Sequence, residues 1–193
     1  MKDLLGNFNG KEIKCMSKNT SSTKSVKRMT VFGLLIALAF VLSYLESLIP
    51  IAAVGLVVPG MKIGLANIVV MVALYTLGYK DALILSVVRV VLVGFTFGNV
   101  VSMWYSLAGS LMSFIVMAIL KKTDWFSMVP VSIAGGIFHN VGQVCIAMLI
   151  LETGGVWAYM PALFASGVIT GFFIGLLGGE VSRRIRRAVP DLR

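Results

Sequence analysis

Apolar residues gather in six stretches, at approximately 29–49, 63–79, 82–98, 99–120, 128–151 and 159–180. A helix rises about 1.5 Å per residue and a hydrocarbon core is about 30 Å thick, so stretches of roughly 20 residues predict membrane-spanning helices. The expected fold class is all-α: a polytopic integral membrane protein, a bundle of six transmembrane helices. The second and third stretches are the shortest, and the division between the third and fourth rests on Phe97-Gly98-Asn99. Between the first two, Pro50 to Gly60 is apolar but bounded by prolines and too short to span. It is expected to dip into the outer face or to cover a cavity, because unpaired backbone at that depth needs protein or water against it. The polar ends divide the chain into a basic, flexible tail over 1–28, a membrane domain over 29–182 and a basic C-terminus over 183–193.

Composition agrees with the pattern. Hydrophobic residues make up 58% of the 193 and charged ones only 13%, with a mean hydropathy of +0.95. A soluble domain averages about 45–50% apolar and about 25% charged, so that class is excluded, as is disorder. The net charge of +9 is explained by where the charges lie. With both termini inside, 15 of the 17 Lys and Arg fall in inner segments: seven in the tail, then Lys80, Lys121, Lys122, Arg183, Arg184, Arg186, Arg187 and Arg193. Only Lys62 falls outside, and Arg89 falls within the third span. This bias predicts a multi-pass protein with both termini cytoplasmic. The basic ends suit an anionic leaflet, so the bilayer is the expected partner and nucleic acid is not. The first apolar stretch is longer than a secretory signal core and follows a long polar lead, so it reads as retained. Cys15 in the tail and Cys145 in an apolar run form no disulfide framework.

Within this frame a few residues stand out. The last span carries Gly167, Gly171, Gly175 and Gly179 at a spacing of four, a ridge for close helix packing or for a second subunit. Ser102, Ser106 and Ser110 mark the fourth span in the same way. Gly33 with Ala37, and Ala39 with Ser43, give the first span two small-residue ridges for neighbours or for a docking partner. Arg89 lies between Val87-Val88 and Val90-Val91, deep in its span, where an ionisable group serves a ligand or a structural ion pair; its planar guanidinium suits a carboxylate or phosphate. His139, Asn140 and Gln143 share one face of the fifth span, within an arc of about 100°, fit for a polar ligand or for hydrogen bonds to other helices. Lys62 and Asn67 flank the start of the second span, where they face a cavity beneath the preceding loop. Trp104, Tyr105, Trp157 and Tyr159 form an interfacial belt with Asn99 nearby, and Glu46 and Glu152 read as solvated at the outer face. No metal ligand set accompanies the lone His139. There is no Gly-x4-Gly-Lys-Ser/Thr loop for ATP, and Asp3, Asp81, Asp124 and Asp191 are unpaired, so no carboxylate cluster holds Mg²⁺ against a diphosphate. Catalytic residues and cofactors are therefore not expected.

Pro59-Gly60-Met61-Lys62-Ile63-Gly64-Leu65-Ala66-Asn67, followed by Gly78-Tyr79, Ala82 and Arg89, resembles the bacterial membrane family labelled both heptaprenyl diphosphate synthase component I and Gx transporter, over about residues 30–180. The first label implies an accessory to a separate, aspartate-rich prenyl synthase in menaquinone side-chain synthesis. The second implies a likeness to the S components of energy-coupling factor transporters in the cytoplasmic membrane. Such a component binds a vitamin-like small molecule near the outer face and docks to a transmembrane coupling subunit with two cytoplasmic ATPases. In that pattern the first helix presents Ala-x3-Ala to the coupling subunit; the closest counterparts here are Gly33-x3-Ala37 and Ala39-x3-Ser43. The expected function is the substrate-binding component of such a transporter, with Lys62, Asn67, Arg89, His139, Asn140 and Gln143 as ligand-binding residues. The alternatives are the prenyl-synthesis accessory and a component of flavin- or quinone-linked membrane electron transfer.

Overall fold

The computed structural model describes the backbone of residues 2–48 and 64–190 and side chains from residue 23 onward. Six α-helices follow one another: α1 Lys2–Ser47, α2 Asn67–Thr76, α3 Tyr79–Thr96, α4 Val100–Lys122, α5 Met128–Leu151 and α6 Met160–Ala188, with a 3₁₀ turn at Gly154–Tyr159 before α6. No strand occurs among the described residues. Four described segments are long and apolar enough to cross a bilayer, Thr23–Ser47, Val100–Lys122, Met128–Leu151 and Gly154–Ala188. The chain is a multi-pass helical membrane protein.

The boundaries depart from the apolar stretches where glycine interrupts the backbone. The stretch 63–79 yields only the ten-residue α2, about 15 Å of helix and half a hydrocarbon core. Gly64 and Gly78, with φ of 87° and 105°, bracket it; such values are open to glycine and strained for other residues. Gly78 ends α2 by donating its N–H to the Ala73 carbonyl at 3.1 Å, and α3 starts one residue later. At the other extreme, α1 runs back through the basic tail to Lys2, where composition predicts a flexible segment. No proline lies between residues 1 and 28 to stop it.

Packing closes the helices into a ring in the order α1, α3, α4, α5, α6, α2, with α2 also touching α3 and α4. Most of α2 is buried. The tightest seams flank α5, and glycine makes both of them. On the α4 side, a Cβ on Gly142 would lie 2.7 Å from the Ala108 carbonyl oxygen, and one on Gly109 2.8 Å from that of His139. On the α6 side, a Cβ on Gly171 would lie 2.6 Å from Ile133 Cα and one on Gly175 2.7 Å from Val129 Cα. The ridge of Gly167, Gly171 and Gly175 thus lies on α5 within the same chain, while Gly179 has only the Met128 sulfur at 3.8 Å.

Charged side chains tie the ends of α2 and α3 to their neighbours. Arg28 pairs with Asp81 at 2.6 Å, Lys121 Nζ donates to the Leu74 carbonyl at 2.5 Å and Arg186 donates to that of Tyr75 at 2.7 Å. This is the basic end of the bundle. The opposite end carries the Gly154–Tyr159 turn and the N-terminus of α4, where the Asn99 side chain accepts from the Ser102 N–H at 2.7 Å and caps the helix.

Candidate functional site

The buried residues of α3 are Ala82, Leu85, Ser86, Arg89, Val90 and Val93, an i, i+3, i+4 face that carries Arg89 at its centre. Arg89 is 6% exposed, so this face delivers a guanidinium to the interior of the bundle. Its Nη2 donates to Asn67 Oδ1 on α2 at 3.1 Å and to Ser110 Oγ on α4 at 2.9 Å. Its Nε is buried with no hydrogen-bond partner. The stripe of Ser102, Ser106, Ser110 and Ser113 turns the polar face of α4 toward this point.

The negative charge comes from α1. Leu35, Ala39, Ser43 and Glu46 are buried at spacings of four, four and three, one inward face of the helix. Glu46 is 2% exposed and does not lie in solvent as the sequence suggests. Its Oε1 accepts the N–H of Gly64, and its charge acts on Arg89. A buried ion costs several kcal/mol in desolvation unless paired, which accounts for bringing both groups to one place.

Together Ser43, Glu46, Gly64, Arg89, Ser106 and His139 line a cavity of about 20 Å³ whose apolar wall is Val90, Val93 and Met103. That is room for about one water molecule, so a larger ligand requires the surrounding side chains to move apart. Gly64 is required there twice over: its φ is positive, and a Cβ would lie 3.0 Å from Asn67 Nδ2 and 3.2 Å from His139 Cδ2. Ser106 Oγ, like Arg89 Nε, is buried without a partner. Buried polar atoms are nearly always satisfied, so these two groups are open to a water or a ligand. Among the described residues no three His, Cys, Asp or Glu gather as metal ligands.

The residues singled out in the sequence separate into three groups. Arg89 and His139 line the cavity, with Asn67 behind Arg89 and the amide of Gln143 donating to His139 Nε2 at 2.7 Å. Asn140 points elsewhere: its Nδ2 donates to the Leu163 carbonyl at 2.6 Å and to Ser166 Oγ at 3.2 Å, clamping α5 to α6. Lys62 and the segment Pro50 to Gly60 lie outside the described residues. Asn140→Ala is expected to cost about 0.6–1.7 kcal/mol of stability, from the average to the maximum for interhelical hydrogen bonds within a membrane protein, with the cavity intact; a chemical-denaturation series in detergent micelles measures it.

The two ridges of α1 face different ways. Ala39 and Ser43 are buried, Ser43 on the cavity itself, whereas Gly33 and Ala37 are exposed. Sequence reasoning missed Glu46, Ser43 and Ser106 as cavity residues. The spacing of Leu35, Ala39, Ser43 and Glu46 is the signal that would have found the first two.

Comparison with known families matches residues 35–181 to the family described as heptaprenyl diphosphate synthase component I. That span takes in every cavity residue named above. No curated protein and no solved structure matches the chain.

Proposed function

The chain belongs to the heptaprenyl diphosphate synthase component I family, and on that premise we propose that it is a non-catalytic membrane component that binds a small polar or anionic amphipathic molecule in the Arg89 cavity, as the substrate-binding subunit of an energy-coupling-factor-type transporter. The observation that carries this reading is the pair of unused groups, Arg89 Nε and Ser106 Oγ, buried on one cavity beside the Glu46 carboxylate. A guanidinium with a spare donor, a hydroxyl, an imidazole and a carboxylate suit a ligand carrying both an acidic and a hydrogen-bonding group. None of these side chains is assigned a bond-making step. The distribution of Lys and Arg supports placing the basic end, with both termini, on the cytoplasmic side of a bacterial membrane.

A second reading follows from the family's description: a membrane accessory to a separate prenyl diphosphate synthase. Mild-detergent purification of the tagged protein from its native membrane, followed by mass spectrometry of proteins and small molecules, separates the two. The transporter reading expects ATPases with a coupling subunit and a retained metabolite; a soluble synthase in their place supports the second reading and overturns the first. A Cβ added at Gly33 would meet nothing within 4 Å, and the residue sits on the exposed ridge, so Gly33→Leu is expected to leave the protein monodisperse while the coupling subunit no longer copurifies. Unchanged copurification removes the docking role from this ridge.

A further inference from the structure

A second hollow, larger than the first, lies at the basic end. It has a volume of about 560 Å³ between the C-terminal turns of α4 and α6 and the start of α5. Its charged lining is Lys121, Arg183 and Arg186 against one carboxylate, Asp124. Glu180 on α6 lies beside it, 3.9 Å from Arg183 and 2.9 Å from Arg184. The net charge on the lining is positive.

Two further features point to an anion. Ser127, the N-cap, and Met128 and Val129, the first two residues of the 24-residue α5, line the hollow, and Ser127 makes no side-chain capping bond. The N–H groups of a helix's first turn have no partner inside the helix and carry the positive end of its dipole, which favours phosphate. Independently, Ser182 lines the same hollow, is 2% exposed and keeps a hydroxyl with no hydrogen-bond partner; the hydroxyl of Tyr75, also on the lining, is in the same state. A buried hydroxyl that finds nothing within the protein is a donor held for something else.

The remaining wall is apolar and smooth. Leu176, Met128 and Phe126 line it together with Gly175 and Gly179, and at Gly179 a Cβ would meet only the Met128 sulfur at 3.8 Å. The room for a hydrocarbon chain is therefore at Gly179, since Gly175 is closed against Val129 of α5.

We propose that this hollow is a binding site for a phosphate group, held by Lys121, Arg183, Arg186, the Ser182 hydroxyl and the first turn of α5. The site is separate from the Arg89 cavity and shares no lining residue with it. The phosphate arrives either as the headgroup of an amphiphile, whose chain lies against Gly179 and Leu176, or as a free anion.

The test uses the full chain in detergent micelles, with dioleoyl phosphatidic acid, dioleoyl phosphatidylcholine and inorganic phosphate as probes, read by native mass spectrometry and thermal unfolding. Phosphatidic acid is expected to stay bound and to raise the unfolding temperature, and phosphatidylcholine to do neither. Ser182→Ala removes only an unpaired hydroxyl, so the ligand-free protein keeps its stability while affinity for phosphatidic acid falls about tenfold, the worth of a hydrogen bond to a charged group. Arg183→Gln weakens it further. Gly179→Leu fills the room for the chain: loss of phosphatidic acid in that variant with no response to inorganic phosphate identifies an amphiphile, and equal protection by inorganic phosphate in wild type and Gly179→Leu identifies a free anion. Either result supports the phosphate site. Protection by neither probe, or equal retention of phosphatidic acid by Ser182→Ala, Arg183→Gln and wild type, overturns it.

Discussion

Arg89→Leu is expected to destabilise the protein by about 3–5 kcal/mol, the cost of leaving one member of a buried charge pair without the other. The reasoning begins with Glu46. Its carboxylate is buried on the same cavity as Arg89, and the guanidinium is the cation whose charge it meets. Removing Arg89 also withdraws the donor from Asn67 and Ser110, which leaves polar groups of α2 and α4 facing an apolar side chain. Glu46→Gln keeps an oxygen to accept the Gly64 N–H and removes the charge. The double variant Glu46→Gln/Arg89→Leu is therefore expected to recover at least half of the lost stability. Unfolding in detergent against increasing denaturant gives the double-mutant cycle. Additive losses in the two single variants would falsify the coupling. Neither Arg89→Leu nor the double variant is expected to retain any small molecule that copurifies with the wild type, because Arg89 Nε, the spare donor on the cavity, is absent from both. Stability and binding then separate: the double variant regains the first and not the second.

How far the sequence announces this arrangement differs from residue to residue. The long helices α4, α5 and α6 are legible because a run of apolar residues that long has one stable form in lipid. Arg89 is legible because a charge in such a run needs a reason. α2 is not legible at its true length: its apolar stretch continues past both ends of the helix, and what shortens it is the positive φ of Gly64 and Gly78, a backbone property that hydropathy does not register. Glu46 is misread for a related reason. Its distance along the chain puts it near the outer face, but whether it turns to water or to the bundle depends on the rotation of α1, which only the inward spacing of Leu35, Ala39 and Ser43 encodes. Asn140 and His139 are adjacent and lie within one polar arc, yet they serve different helices, since a buried helix in contact on two sides uses neighbouring positions for opposite partners. Periodicity gives the arc; the partners come from the packing of α4 and α6.

The second large effect is expected from a single methyl group at Gly136. A Cβ there would overlap the carbonyl oxygen of Gly167, and because the obstacle is backbone, no side-chain rotation relieves it. α5 and α6 must separate, and the close approach is lost along the whole ridge, down to Gly171 against Ile133 and Gly175 against Val129. Overpacking of a tight core costs about 1–3 kcal/mol and occasionally more; a rigid contact repeated over three turns puts Gly136→Ala at or above the upper end. Gly33→Ala supplies the control. Its new methyl has nothing within 4 Å, and replacing a mid-helix glycine with alanine favours the helix by about 0.5–1 kcal/mol. Denaturation of the two variants side by side is expected to move the midpoint down for Gly136→Ala and to leave it unchanged or raise it for Gly33→Ala; equal midpoints would show that the α5–α6 seam tolerates expansion. Displacing α5 has a second consequence, because His139 and Gln143 lie three and seven residues beyond Gly136 on the same helix, and His139 walls the Arg89 cavity. Binding in that cavity should therefore fail in Gly136→Ala even under conditions where the variant remains folded. A methyl group on one face of α5 thus reaches a site on the other, because the helix carrying both is held by backbone contact on two sides and cannot shift at one seam alone.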